Sequence, residues 1–275
     1  MLNALPRTAL CQWKEQIASC RDERLESEDQ AWQRMAEWYG DWVRHNDYVA
    51  LVLPRLLAAV DSNARVLEVG PGSGAFTIPL ARAAREVVAV EPSANMRAVL
   101  AHNLACAGIA NGSLVPQQIE DAADTLNGPF DLAFASYSLY NVEAIDRVVR
   151  SLVRLSHHVV AWMGTGERRD WYRDLFQRFR GRELVSPPQL ERFYPVLLEM
   201  GIYADVDVFW TTYNYVYNSE DALLEWWLHH FHLPESERLA LRNALMPLTE
   251  WRDGKIGIYR TSRAALVWIE RGRNA

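Results

Sequence analysis

The stretch Val66-Leu67-Glu68-Val69-Gly70-Pro71-Gly72-Ser73-Gly74 decides how this chain folds. Its first four residues have the apolar character of a buried strand, and its last five form a glycine-rich loop. Glycine has no Cβ and tolerates positive φ, so such a loop turns tightly and passes close to a ligand. Residues 75–84 have a helical pattern, and a helix that begins there directs free N–H groups toward the loop. We therefore predict a strand–loop–helix unit that binds a ligand.

Short apolar runs alternate with helix-length segments beyond this unit. The predicted strands are 65–69, 87–90, 114–119, 131–135 and 159–163, and helical patterns lie between them, for instance over 75–84 and 93–107. Such alternation implies right-handed crossovers between parallel strands. The predicted fold class is therefore α/β, with a doubly wound, mostly parallel sheet.

The two ends of the chain lack this alternation. Residues 1–61 have apolar residues at helical spacing and no strand pattern, so we predict an N-terminal helical lid over the carboxyl ends of the strands. Tyr39, Trp42 and Tyr48 are its residues expected nearest the ligand. Residues 62–275 form the main domain, with a cofactor half over 62–165 and substrate-side additions over about 167–250. The additions comprise helical segments and a β-prone run over 206–217, and a last strand is predicted over 265–269.

Composition and charge disfavour several classes of protein. The net charge is −6 and no window is strongly basic, which argues against a partner held by its phosphates. The three cysteines make neither a disulfide framework nor a CxxC pair. No apolar run is long enough to span a membrane, and no signal peptide is recognisable. We expect a protein of the reducing cytoplasm without a membrane partner; the sequence does not indicate an oligomeric state.

Two acidic residues narrow the identity of the ligand. Gly70-x-Gly72-x-x-Ala75 satisfies a loose dinucleotide pattern, but Glu68 precedes it at a site that is usually apolar in dinucleotide folds. An acid there suits a cationic ligand, and S-adenosylmethionine carries an ammonium and a sulfonium. Glu91 ends the next strand, 17 residues after Gly74. A carboxylate at that tip accepts both ribose hydroxyls of an adenosine.

With these motifs the sequence resembles the class I S-adenosylmethionine-dependent methyltransferases. The matching segments are Glu68-Val69-Gly70-Pro71-Gly72-Ser73-Gly74, Val90-Glu91-Pro92-Ser93 and Phe130-Asp131-Leu132-Ala133-Phe134-Ala135-Ser136. The likeness covers roughly residues 61–165. It implies a Rossmann-like methyltransferase fold with a seven-stranded sheet whose final pair includes one antiparallel strand, to which 206–217 and 265–269 correspond.

The resemblance also implies roles for individual residues around an S-adenosylmethionine cofactor. Glu68 and the loop Gly70, Pro71, Gly72, Ser73 and Gly74 would border its methionine part. Glu91 would hold the ribose, flanked by Pro92, Ser93 and Met96. Ile119 would pack on the adenine, and either Glu120 or Asp121 would meet the adenine amine. Ala135 and Ser136, at the end of the fourth predicted strand, would face the reactive methyl group.

The acceptor side carries no obligatory motif, because methyl transfer from a sulfonium needs alignment more than acid–base catalysis. The segment Ala135-Ser136-Tyr137-Ser138-Leu139-Tyr140 lacks the Asn/Asp-Pro-Pro-Tyr type of tetrapeptide used on planar amines, and no cysteine follows it. Both absences point away from the best-marked nucleic-acid subclasses. Tyr140, with Tyr137 near it, is the candidate for lining the methyl site and orienting an acceptor lone pair.

Three functions compete on this basis. Methyl transfer to a small-molecule acceptor is preferred, with no resident metal; a protein or RNA methyltransferase is the alternative, and a non-methylating adenosine-cofactor protein the third. His229, His230 and His232 invite a metal interpretation, but their aromatic neighbours favour packing, and a general base is the remaining alternative. His157, His158 and Asp131 begin strands, on the side away from ligands.

The aromatic residues of the C-terminal part predict the nature of the acceptor. They are Phe193, Tyr194, Trp210, Tyr213, Tyr215, Tyr217, Trp226 and Trp227. We expect them to line a pocket of ~300–1,000 Å³ for a partly apolar or aromatic molecule. The alternative is that they only build an interface. Arg168 and Arg169 follow the fifth strand and are expected to contact a carboxylate or phosphate.

Overall fold

The structure is a computed structural model that describes residues 8–22, 38–167 and 169–273. Arg168, one of the two arginines predicted to contact an anion, lies outside these residues. The described strands are β1 (Arg65–Val69), β2 (Glu86–Val90), β3 (Gly112–Val115), β4 (Phe130–Ser136), β5 (Ser156–Gly164), β6 (Asp205–Thr212), β7 (Tyr215–Tyr217), β8 (Glu250–Arg252), β9 (Lys255–Ile258) and β10 (Thr261–Glu270).

Helices connect and cover these strands. They are α1 (Ala9–Asp22), α2 (described over 38–44), α3 (Tyr48–Leu57), α4 (Thr77–Ala83), α5 (Ala94–Cys106), α6 (Ile119–Thr125), α7 (Ile145–Leu155), α8 (Asp170–Arg180), α9 (Leu190–Glu199), α10 (Glu220–His230) and α11 (Arg238–Leu245). Short 3₁₀ turns supplement them, among them Leu139–Asn141 after β4.

The main sheet has seven strands in the order β3-β2-β1-β4-β5-β10-β6. The first five are parallel to one another, and β10 is antiparallel to both β5 and β6. The order reverses between β1 and β4, so ligands are expected outside the carboxyl ends of the strands near that point. The predicted α/β class and the antiparallel strand within the final pair are confirmed.

Helices bury both faces of this sheet. In β1, Leu67 and Val69 belong to a core cluster shared with α6, α7 and α9, whereas Val66 belongs to the cluster on the other face, shared with α3 and α4. Alternate residues of a strand point to opposite faces, so two covered faces require an almost continuous apolar strand. This is why Val66 to Val69 read as one apolar run interrupted only by Glu68.

The N-terminal helices lie in three different environments. Trp13 of α1 is fully buried, and its Nε1 donates to the Val142 carbonyl oxygen at 2.8 Å. Val52 of α3 is also fully buried in the helical layer on one sheet face, so α3 is not positioned over the strand ends. Tyr39 of α2 lies directly on the glycine loop. The division at residue 61 between a lid and a main domain stays a prediction.

Two predicted strands are wrong in part. The strand predicted over 114–119 ends at Val115, since Pro116 has no N–H for the ladder, and Ile119 begins α6. The run over 206–217 is divided into β6 and β7, which belong to different sheets. Side chains of the α2–α3 turn hold the break: the Thr212 N–H donates to Asp47 Oδ1 at 2.9 Å, and the Asn214 N–H donates to Asn46 Oδ1 at 2.7 Å.

A second sheet, which the sequence analysis did not predict, joins β7, β9 and β8 in that order. With α8, α10 and α11 it surrounds a separate aromatic core that includes Trp227, Phe231 and Tyr215. Trp38, at the start of the described part of α2, lies 4.8 Å from Trp226 between ring centroids. The C-terminal addition therefore packs directly on the helix that carries Tyr39. No helix among the described residues combines the length and apolar character needed to cross a membrane.

Candidate functional site

A cavity of about 260 Å³ opens at the carboxyl ends of β1, β2 and β4. Its walls come from α1, α2, the loops after β1, β2 and β4, and the start of α6. The lining residues are Arg21, Tyr39, Val69, Gly70, Gly72, Val90, Glu91, Pro92, Met96, Gln118, Ile119, Glu120, Ser136, Tyr137, Ser138, Tyr140, Asn141 and Val142. The cavity occupies the position at which doubly wound sheets bind ligands.

The loop after β1 is packed so closely that only glycine fits at two positions. Gly70 has φ 67°, and a Cβ on it would lie 2.5 Å from the Cβ of Ser138. Gly72 has φ 57°, and a Cβ on it would lie 2.8 Å from Cε1 of Tyr39. Both residues line the cavity with backbone atoms. The Gly70 N–H is engaged, since it donates to the Val90 carbonyl at 3.0 Å, so the loop offers the cavity a wall of backbone atoms without side chains.

Glu68 lies beneath this loop, with 2% of its surface exposed. Burial raises the pKa of Glu68 to about 7. Among the described residues its Oε2 has no hydrogen-bond partner. The carboxyl is not part of the cavity surface, so it acts on the cavity through its charge and through the loop that it supports. A buried acid without a compensating cation is a costly feature, and a cationic ligand nearby would relieve that cost.

The carboxylate of Glu91 is held at the end of β2. Its Oε1 accepts the Ser93 N–H at 2.9 Å, and the guanidinium of Arg97 donates to its backbone carbonyl at 2.8 Å. Ser93 is the N-cap of α5 and is turned into the fold, whereas Pro92 and Met96 line the cavity. The hydrogen bond from the Ser93 N–H therefore fixes one carboxylate oxygen of Glu91, whose side chain lines the cavity.

The two neighbouring acids at the start of α6 lie in different environments. Glu120 lines the cavity, and its Oε2 is buried with no hydrogen-bond partner among the described residues. Asp121 is exposed and lies outside the cavity. Successive helical residues point in directions about 100° apart, which explains why only one of them faces the ligand site. Ile119 is buried and also lines the cavity.

The segment after β4 supplies the remaining wall. Tyr137 has φ 48°, an uncommon conformation for a residue with a side chain, and its N–H donates to the Trp162 carbonyl at 2.8 Å. Ser138 Oγ donates to the Val69 carbonyl at 2.7 Å, which ties this segment to the glycine loop. Burial raises the pKa of the Tyr137 phenol well above its usual value, so it remains a hydrogen-bond donor at neutral pH.

Of the sixteen residues predicted for the site, nine line the cavity: Gly70, Gly72, Glu91, Pro92, Met96, Ile119, Glu120, Ser136 and Tyr140. The other seven lie beneath or beside it: Glu68, Pro71, Ser73, Gly74, Ser93, Asp121 and Ala135. The sequence analysis missed Arg21, whose guanidinium pairs with Glu143 at 2.7 Å, as well as Gln118 and Asn141. Gln118 was detectable in principle, because it directly precedes Ile119. Nothing near Arg21 in the sequence indicated its position.

The C-terminal aromatic residues do not line this cavity, and an acceptor pocket walled by them stays a prediction. None of the eight belongs to its surface. Tyr215, Tyr217 and Trp227 are buried in the separate aromatic core, Phe193 packs on Trp13, and Trp210 is 65% exposed. These large rings find more apolar surface against each other than at a site that is open to ligands. The cavity is also slightly smaller than the expected ~300–1,000 Å³.

The histidines of α10 pack among aromatic rings. The His230 ring stacks on Trp226 with centroids 4.6 Å apart, and its Nε2 lies 2.8 Å from the Tyr172 hydroxyl. His229 and His232 lie side by side, 6.3 Å between ring centroids. Within residues 8–22, 38–167 and 169–273, no three His, Cys, Asp or Glu side chains are grouped so that they could hold a metal ion.

Comparison with known proteins places this geometry in a family. The methyltransferase domain family matches residues 42–185, just over half of the chain. A ribosomal RNA small subunit methyltransferase A from Desulforapulum autotrophicum is 42% identical over 62 residues, which is 22% of this chain and 22% of that protein. The chain thus matches less than a quarter of that relative's length.

Two solved structures share the fold. One is a protein of Bacillus halodurans C-125 assigned as a methyltransferase, with a TM-score of 0.57 and 13% identity; the match covers 81% of this chain and 98% of that one. The other is the YcgJ protein of Bacillus subtilis, with a TM-score of 0.54, 14% identity, and coverage of 81% and 99%. Both likenesses concern the fold.

The buried carboxyl of Glu68 predicts an unusual dependence of stability on pH. Its pKa is about 7 in the folded protein and 4.5 ordinarily, so the folded state keeps a proton that the unfolded chain releases. The free energy of unfolding should therefore fall as the pH rises from ~4.5 to ~7 and stay low above that range. Glu68→Gln should remove this loss. The difference in unfolding free energy between Glu68→Gln and wild type should therefore grow in favour of the variant by on the order of 2 kcal/mol as the pH rises from ~4 to ~8.

Urea unfolding at a series of pH values measures this difference. Glu183→Gln changes an exposed carboxyl and serves as the matched control, with no such gain expected. A Glu68→Gln protein whose unfolding free energy parallels that of wild type across the range would contradict the assignment of Glu68 as the titrating group.

Proposed function

This chain belongs to the methyltransferase domain family, and we propose that it transfers a methyl group from S-adenosylmethionine to a small-molecule acceptor. The family membership makes the chain a methyltransferase and sets aside a dehydrogenase or a non-catalytic adenosine-binding protein. The identity of the cofactor in this chain, the acceptor class, the residue roles and a cytoplasmic location belong to the proposal.

The polar atoms around the cavity fit S-adenosylmethionine. The glycine loop lines the cavity with backbone atoms alone, which lets the methionine part of the cofactor approach it closely. Glu91 lies at the end of β2 with one oxygen engaged by Ser93, an arrangement suited to ribose hydroxyls. The unpartnered Oε2 of Glu120 suits the adenine amine, and Ile119 beside it offers an apolar surface for the ring. The carboxylate of Glu68 makes the electrostatic potential at the loop more negative, which favours a cationic ligand.

When bound, S-adenosylmethionine supplies an electrophilic methyl group on a sulfonium. The protein's task is then to align an acceptor and to exclude water. Ser136, Tyr137 and Tyr140 line the cavity after β4, where we place the acceptor's reacting atom. Tyr137 remains protonated and orients an acceptor lone pair by donating a hydrogen bond. Tyr140, the residue chosen from sequence for this role, lines the same wall and is assigned to acceptor positioning.

One observation above all supports a small acceptor: α2 and the C-terminal addition cover the carboxyl edge of the sheet. Tyr39 lies on Gly72, and Trp38 of the same helix packs on Trp226 and Tyr215. The single arginine of the cavity lining, Arg21, is already paired with Glu143. A long RNA needs cations available for its phosphates, and the described residues that line the cavity offer no other cation than the paired Arg21.

RNA is the second candidate acceptor. The observation that favours it is the 42% identity, over 62 residues, with a protein named as a ribosomal RNA methyltransferase. That segment amounts to 22% of the chain, and we assign its similarity to cofactor binding, which the two functions share.

The first prediction from this proposal concerns the cofactor. Calorimetry should show saturable binding of S-adenosylhomocysteine and none of NAD. Glu91→Ala should weaken the binding by about 1.5–3 kcal/mol, because a charged hydrogen-bond partner is lost. Glu86→Ala, at the opposite end of β2, is the control and should bind as wild type does. Binding of NAD in place of S-adenosylhomocysteine would overturn the proposed cofactor.

The second prediction compares the two acids of α6. Glu120→Ala should weaken S-adenosylhomocysteine binding by about 1–2 kcal/mol, since the adenine amine loses its acceptor. Asp121→Ala removes an adjacent carboxylate that points into solvent, so it should leave the affinity unchanged. Equal effects of the two substitutions, or a larger effect at Asp121, would show that the adenine is not held as proposed.

The third prediction concerns the acceptor class. The protein is incubated with methyl-tritiated S-adenosylmethionine and three separate fractions of a bacterial lysate: small molecules, total RNA and proteins. We expect label in the small-molecule fraction, and none there with Glu91→Ala at a limiting cofactor concentration. Label confined to RNA or protein would replace this proposal with the macromolecular alternative.

A further inference from the structure

Arg169 is a cation with no acidic partner among the described residues. It lies just beyond the carboxyl end of β5 and directly precedes α8, on the same edge of the sheet as the cavity. Its guanidinium carbon is 4.6 Å from the centroid of the Tyr213 ring and 5.7 Å from that of Tyr172. No described carboxylate forms an ion pair with it, although most other arginines with a polar contact have an acid or a carbonyl as partner.

Partial burial among aromatic rings removes water from the Arg169 guanidinium, and this desolvation is unfavourable unless other groups compensate the charge. A guanidinium cannot release its proton under ordinary conditions, so burial does not neutralise it. The surrounding tyrosines, with Tyr213 first, raise the pKa of Arg169 further above its usual range. Contacts with ring faces compensate only part of the desolvation of a cation. The side chain keeps part of its surface exposed, so an anion can reach it.

A continuous set of ring contacts links Arg169 to the cavity wall. Tyr213 lies 5.4 Å from Trp42, and Trp42 lies 5.9 Å from Tyr39, which covers Gly72. Tyr137, on the cavity wall after β4, is close enough for the charge of Arg169 to oppose the rise of its phenol pKa. Arg169 therefore lies behind the rings at which the proposed function places the acceptor.

We propose that Arg169, with the hydroxyl of Tyr213, binds an oxyanion of the methyl acceptor, so that the substrates are small molecules bearing a carboxylate or a phosphate. This inference rests on the proposed function, since it names the acceptor class for the same site. A guanidinium binds planar oxyanions through paired hydrogen bonds, and the side-chain hydrogen bond between Arg169 and Tyr213 brings the tyrosine hydroxyl to the same place.

The proposal is tested with probes that differ in charge alone. Benzoate and phenyl phosphate carry the two oxyanions on an aromatic body, and benzamide is the neutral counterpart of benzoate. Each is titrated calorimetrically into the protein, with and without saturating S-adenosylhomocysteine. We expect at least one anion to bind wild type about tenfold more tightly than benzamide, the scale of a charge-assisted hydrogen bond.

Substitutions at Arg169 and at Arg178 separate the role of the Arg169 charge from that of the helix α8. Arg169→Met should abolish the preference for the anion, and Arg169→Lys should retain part of it. Arg178→Met, which removes an exposed arginine that lies over Phe179 in α8, is the control and should keep the full preference. Tyr213→Phe keeps the ring but removes the hydroxyl, so it should weaken the binding of the anion severalfold.

The thermal midpoint of unfolding distinguishes binding from a structural role. Removal of an unpaired, partly buried cation should leave the midpoint of Arg169→Met unchanged or higher. Equal binding of benzoate and benzamide, no anion binding by wild type, or an unchanged preference in Arg169→Met would each overturn the proposal. If S-adenosylhomocysteine fails to bind while benzoate binds through Arg169, the anion site stands and the proposed cofactor is at fault.

Discussion

The close approach of the loop after β1 to two other elements constrains the whole ligand-binding edge. Gly70 touches Ser138 after β4, and Gly72 lies under Tyr39 of α2. A Cβ at either position would push these elements apart, because it would lie 2.5 Å from the Ser138 Cβ or 2.8 Å from the Tyr39 ring, closer than van der Waals contact allows. The loop therefore fixes the position of α2, and α2 in turn fixes the C-terminal addition through Trp38.

Among the described residues, charged groups without a partner of opposite charge are concentrated near this edge. Glu68 and Glu120 each have a carboxylate oxygen without a hydrogen bond among the described residues, and Arg169 lies on tyrosine rings. A protein selected for stability alone would pair or omit such groups, since an uncompensated charge reduces the free energy of unfolding. Their placement is understandable when ligands supply the compensation: a cofactor with cationic and donor groups for the acids, and an anionic acceptor for the arginine.

The aromatic residues serve mainly to join the additions to the core. Trp227, Phe231 and Tyr215 hold the second sheet against α8 and α10, and Trp42 with Tyr48 extends the packing to β4 and α4. The rings that approach the ligand edge are those of Tyr39, Tyr137, Tyr140 and Tyr213. Their hydroxyl groups set them apart from the tryptophans behind them, because a phenol both donates and accepts hydrogen bonds whereas an indole N–H only donates.

The sequence by itself determined the α/β class, the glycine loop, and the acids at the ends of β1 and β2. These features follow from local rules: buried parallel strands are continuously apolar, and a loop that touches a ligand must be glycine-rich. It also predicted a cavity that nine of its sixteen named residues line. The order of the sheet was available only through the resemblance to a family, because strand pairing is not a local property.

Tertiary structure alone decided the rest. The orientation of α6 places Glu120 rather than Asp121 at the cavity. Hydrogen bonds from Thr212 and Asn214 to Asp47 and Asn46 end β6, although the apolar pattern of the sequence continues beyond that point. Arg21 reached the cavity from a helix more than forty residues away from the glycine loop, and Tyr215, Tyr217 and Trp227 were buried in a core of their own. Each of these outcomes depends on contacts between residues far apart in the chain, and the periodicity of a single segment carries no information about them.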